Sequence, residues 1–275
     1  MNQIHSTFAR LSREHRKALI PFIMAGDPDL MTTEALVPAL AEAGADLIEI
    51  GIPFSDPLAD GPILQRAASR ALAAGVTPQV VLARLKPIAH RIQVPLVLLT
   101  YWNPVMQYGR RAPAKSNDVP GHEFVRAASE AGISGVVIPD LPPEEAEGFC
   151  AIARQCGLAT IFLAAPTSSP ERLRRIARAS EGFIYYVSLT GTTGVRDQLP
   201  SEWLHGVRQL KLITTKPICV GFGISTPAHA AQVARIADGV IVGSALVKRL
   251  ESYLDNRLAL IQEAQAMVRQ LRSAT

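Results

Sequence analysis

One pattern limits what this chain can fold into more than any other: short, almost wholly apolar runs alternate with segments whose apolar residues recur at helical spacing. The runs are Ala18–Gly26, Asp46–Gly51, Pro95–Thr100, Val136–Pro139, Thr160–Ala164, Phe183–Val187, Pro217–Val220 and Gly239–Val242. A parallel strand covered on both faces reads as a near-continuous apolar run, whereas a half-exposed strand alternates. Eight strand–helix units within 275 residues predict a closed (β/α)8 TIM barrel, a single domain over 1–275. No G-x-G-x-x-G follows the first run, which weighs against an open dinucleotide-binding sheet. Residues 2–15, with Ile4, Phe8 and Leu11 at helical spacing, predict an extra N-terminal helix that caps one end of the core. Thr32 or Thr33 is the expected cap of the first crossover helix, and Asp140–Pro143 the expected start of a later one. Residues 101–117 read as one long connection, and most of 246–272 as one final helix.

At 48% apolar and 19% charged residues the chain has ample material for a large core. The 28 basic residues exceed the 24 acidic ones by only four, which suits an anionic small molecule and falls short of a nucleic-acid footprint. Cys150, Cys156 and Cys219 form no C-x-x-C pair, and neither they nor the histidines show metal-ligand spacing. No disulfide framework and no metal are expected. No apolar run approaches the ~18 residues of a membrane span, and the first residues lack the order of a secretion signal. A soluble, cytoplasmic protein is expected.

In a (β/α)8 barrel the chemistry sits where strands end and the following loops begin. Glu49 is penultimate in its strand. If Ile48 and Ile50 face the helices, Glu49 points into the barrel mouth. A buried carboxylate must be neutral, paired or used, and desolvation there raises its pKa, as a general acid requires. Asp56 and Asp60 follow in a loop stiffened by Pro53, Pro57 and Pro62; each is either a turn carboxylate or a functional one. Gly221-Phe222-Gly223 and Gly243-Ser244 end the last two strands. There they are either ordinary turns or the phosphate site such barrels commonly build. The loop Ser188–Arg196 reads as a lid with glycine hinges or as a plain surface loop. Tyr185 is core or catalytic.

With these residues in view, the chain resembles the tryptophan synthase alpha subunit family. The resemblance rests on Leu47–Pro62, Pro21–Pro28, Tyr101–Pro104, Pro139–Pro142, Gly191–Gly194, Gly221–Ile224 and Gly243-Ser244, in order along the whole chain. It implies a lyase that splits indole-3-glycerol phosphate into indole and glyceraldehyde 3-phosphate by a retro-aldol route, with no cofactor. It further implies Glu49, Asp60 and Tyr185 as catalytic residues. Phe22, Leu99, Tyr101 and Thr193 would contact substrate, and Gly194, Gly223, Gly243 and Ser244 would hold phosphate. The implied partner is the pyridoxal-phosphate beta subunit in an alpha2-beta2 complex, docked through Asp56, Asn103 and Pro104. The basic tract Arg110–Lys115 departs from the family pattern as an insertion. Two other readings are a catalytically quiet activator of a beta subunit and another phosphosugar isomerase or epimerase. The first sits badly with intact Glu49 and Asp60, and the second leaves Glu49–Asp60 unexplained.

Overall fold

The computed structural model describes residues 2–109, 119–187, 202–221 and 223–275. Its strands are β1 (Ala18–Met24), β2 (Ile48–Gly51), β3 (Leu96–Leu99), β4 (Gly135–Val137), β5 (Ala159–Ile161), β6 (Leu163–Ala164), β7 (Ile184–Val187), β8 (Ile218–Gly221) and β9 (Gly239–Val242). Every neighbouring pair is parallel, in the order β5-β4-β3-β2-β1-β9-β8-β7-β6. The two ends of that order, β5 and β6, are separated only by Phe162. The expected fifth strand is therefore split, pairing with β4 before the break and with β7 after it, and the sheet closes on itself. Phe162 breaks the ladder because its N–H donates to Ser180 Oγ at 3.3 Å rather than to a neighbouring strand.

Side chains of alternate parity divide into two apolar layers, as a pleated strand requires. Ile20, Leu47, Val97, Val137, Ile161, Cys219 and Ile241 fill the barrel. Ile48, Ile50, Leu96, Leu98 and Val136 face the surrounding helices. Helix Gln3–Arg13 inserts Ile4, Phe8 and Leu11 into the inner layer. Asn2 anchors it by donating to the carbonyls of Ser134 and Gly157, each at 2.7 Å. This plug closes the end of the barrel where strands begin, leaving the opposite end as the mouth.

Four local expectations change. Asp29 caps helix Leu30–Glu42, accepting from Thr32 N–H at 2.7 Å, while Thr33 Oγ1 is used one turn away to hold Gly26 N–H. The helix expected from Asp140 starts at Glu147, because Asp140 instead accepts from Trp102 N–H at 2.8 Å across the barrel rim. Trp102–Gln107 is itself a short helix rather than loop. The final helix is broken: Ser244–Leu250 and a 3-10 turn, Glu251–Tyr253, precede Arg257–Arg272, which Asn256 caps afresh.

Candidate active site

Ile48 and Ile50 do face the helices, so Glu49 faces the mouth; its residue is only 2% exposed. In register it lies beside Phe22 of β1 and Val97 of β3. Among the described residues, no hydrogen bond of ordinary length reaches either Glu49 carboxyl oxygen, the Tyr185 hydroxyl acting on it only weakly. Desolvation, and secondarily the charge of Asp60, push its pKa up to about 8, against a smaller opposing pull from the Tyr185 hydroxyl. Burial likewise raises the Asp60 carboxyl to about 6, with the Tyr101 hydroxyl acting the other way. Between about 6 and about 8 this coupled pair therefore holds one proton, on Glu49, while Asp60 carries charge. Tyr185, in the inner layer on β7, is held well above its ordinary pKa by burial and then by Glu49, so it remains a neutral hydroxyl.

The Asp60 loop is fixed from several sides. Tyr101, nearly wholly buried, accepts from Ala59 N–H at 3.1 Å and packs its ring 5.4 Å from that of Phe54. Asp60 N–H donates to the Pro57 carbonyl at 3.2 Å, and Gln65 Nε2 donates to the Asp60 carbonyl at 2.8 Å. Phe22 crosses the mouth from the other side: a Cβ on Gly51 would sit 2.6 Å from Phe22 Cζ, and one on Gly243 would sit 3.6 Å from Phe22 Cβ. At Gly51 only a residue without a side chain leaves the Phe22 ring where it lies, whereas the Gly243 distance is an ordinary contact. Leu99 is aligned with Gly51 and with Val137, and Tyr185 with Leu163. Val137 and Leu163 thus flank Leu99 and Tyr185 on the inward side of the strands and were missed from sequence; their inward parity was the available signal.

Gly223 adopts a left-handed φ of +54° with open space around it, a conformation that favours glycine. Gly243 directly follows β9 and lies against Phe22, and Ser244 opens the helix Ser244–Leu250. Thr193, Gly194 and the basic tract Arg110–Lys115 lie outside the described residues. Asp56 and Asn103 are exposed and Pro104 half-buried; Asp56 lies in the loop after β2, Asn103 and Pro104 on the helix Trp102–Gln107, and the Tyr101–Ala59 bond joins the two segments. The described residues contain no cluster of three or more histidine, cysteine or acidic side chains suited to a metal.

The family model for the tryptophan synthase alpha chain matches residues 8–275. The chain belongs to the tryptophan synthase alpha chain family. The alpha chain of Geobacter sulfurreducens is 48% identical over 274 residues, covering 100% of this chain and 99% of its own. That of Geotalea daltonii is 48% identical over 258 residues, 94% of each chain. The crystal structure of the tryptophan synthase alpha subunit from Legionella pneumophila superimposes with a TM-score of 0.87 at 38% identity, covering 100% of this chain and 98% of that one. As a tryptophan synthase alpha chain, the protein is a lyase of tryptophan biosynthesis. It cleaves indole-3-glycerol phosphate to indole and glyceraldehyde 3-phosphate, and its partner is a beta subunit. Neither the quiet-activator nor the isomerase reading is favoured.

Proposed function

We propose that Glu49 moves the proton in this cleavage and that Asp60 carries the compensating charge. The observation that supports it most is the buried carboxyl of Glu49, without a hydrogen bond of ordinary length and neutral near pH 7 beside an ionised Asp60. Neutral Glu49 protonates indole C3, and the positive charge that develops on the ring is met by Asp60 at the indole N–H. Glu49, now ionised, takes the proton of the adjacent glycerol hydroxyl. The carbon–carbon bond breaks, its electrons restore the aromatic ring, and the aldehyde leaves. Glu49 ends protonated, as it began. Tyr185 steadies Glu49, while Phe22, Leu99 and Tyr101 hold the indole.

The phosphate is assigned to Gly194, Gly223, Gly243 and Ser244, through backbone N–H groups and the Ser244 hydroxyl. Thr193 is assigned to meet Asp60 when the loop after β7 closes. The docking surface for the beta subunit is read as Asp56, Asn103 and Pro104, with Leu58, 89% exposed at the loop tip, as its apolar centre. An alpha2-beta2 assembly, a single-domain chain and a cytoplasmic location complete the reading. No helix among the described residues is long and apolar enough to cross a membrane. The test is Glu49→Gln: general acid–base catalysis contributes about 10²- to 10⁴-fold, so indole release should fall by at least two orders of magnitude with the fold intact. Turnover within about tenfold of wild type would remove Glu49 from the role.

A further inference from the structure

Behind the mouth, a cluster of charged side chains joins segments that follow β1, β2 and β9. Arg70 grips Asp27 with two parallel bonds, Nε to Oδ1 at 2.7 Å and Nη2 to Oδ2 at 2.9 Å, and reaches Glu251 Oε1 through Nη1 at 3.2 Å. Arg66, one turn earlier, holds the same Glu251 through Nε to Oε1 at 3.1 Å and Nη2 to Oε2 at 2.8 Å. Asp27 lies in the turn after β1, and both arginines lie on helix Pro62–Ala73, which begins just after Asp60. Glu251 opens the 3-10 turn that directly follows helix Ser244–Leu250.

Two arginines four residues apart on one helix repel each other. Glu251 sits between them and cancels that repulsion, and Arg66 foremost, with Arg70, holds its carboxyl below the ordinary range. The paired, directional bonds set this cluster apart from the single contacts of most surface ion pairs. We infer that Glu251 is a positioning residue for the reaction: by clamping Arg66 and Arg70 it fixes the segment bearing Ser244 against the segment bearing Asp60. The two ends of the substrate are thereby held at one separation. Gln65, on the arginine helix, bonds the Asp60 carbonyl, so a shift of that helix is passed to Asp60. The inference rests on the phosphate reading of Gly243 and Ser244.

Glu251→Gln keeps the side-chain shape and removes the charge. Indolepropanol phosphate spans both ends, and its affinity should fall about five-fold, the size expected of a part-exposed ion-pair cluster. Glycerol 3-phosphate occupies the phosphate end alone and should bind as it does to wild type. Arg66→Gln, which leaves the Arg70 bonds in place, should show a smaller loss in the same direction and serves if Glu251→Gln fails to fold. Equal weakening of both ligands, or of neither, overturns the inference. Ser244→Ala separates it from the reading beneath it. If that change weakens both ligands, the phosphate reading stands, and the clamp is judged on Glu251→Gln alone. If it weakens neither, the phosphate reading and the clamp fall together.

Discussion

Neutralising Glu49 permanently should stabilise the protein against alkaline pH, by an amount the structure sets. Burial carries this carboxyl from an ordinary 4.5 to about 8, and a displacement of that size is worth about 5 kcal/mol between its two protonation states. Above pH 4.5 the unfolded chain gives up this proton and the folded protein keeps it. The stability associated with neutral Glu49 is therefore complete below about 4.5, drains as pH rises, and is gone above about 8. Glu49→Gln retains a similar shape and never ionises, so its stability should match wild type near the acid end of this window and exceed it increasingly above. Urea unfolding followed by circular dichroism, at several pH values from about 5 to about 9, gives both curves. The gap should open to several kcal/mol by about pH 9, with other titrating groups largely cancelling in the difference. A gap that stays constant across the range would mean that Glu49 ionises normally in the folded protein, and the acid role would lose its physical basis.

Two further outcomes probe opposite ends of the barrel. A methyl group on Gly51 would meet the Phe22 ring at 2.6 Å, so Gly51→Ala should cost about 1–3 kcal/mol of stability from overpacking and raise the KM for indole-3-glycerol phosphate. Thermal melts and steady-state assays read these separately. At the closed end, Arg272 pairs with buried Asp46, which also accepts from Leu19 N–H at 3.0 Å. Arg10 and Arg16, each 3.6 Å from Asp46 Oδ1, still compensate its charge in part, so Arg272→Met should lose about 1–3 kcal/mol of stability through the lost charged hydrogen bond, while kcat/KM of the folded fraction stays near wild type.

The barrel was legible because parallel strands buried on both faces announce themselves in the composition of each run, and Glu49 because it was the one acid flanked on both sides by apolar residues of such a run, Asp46 standing only at its edge. Strand parity put Glu49 opposite Ile48 and Ile50, and the packing of those two against the helices fixed which way it points. The split at Phe162 was not legible: the residue is as apolar as its neighbours, and the ladder breaks through a bond to Ser180. Asp29 and Asn256 were readable as helix caps, yet nearby threonines and an apolar periodicity competed with them. Tyr101 was assigned to indole, whereas its hydroxyl also restrains Ala59, 42 residues away in sequence. The Glu251 clamp was beyond reach from sequence, since Arg66 and Glu251 stand 185 residues apart and nothing local marks either.

The central claim, a neutral Glu49 facing an ionised Asp60, is tested most directly by carbon-13 NMR of the glutamate side-chain carboxyls, with the Glu49 signal assigned by its loss in Glu49→Gln. The signal should titrate near pH 8 and report a protonated acid at pH 7. In Asp60→Asn its midpoint should move down, because the Asp60 charge is one of the causes that raise it. A Glu49 carboxyl already ionised at pH 6, or a midpoint indifferent to Asp60, would contradict the pairing on which the proposed mechanism depends.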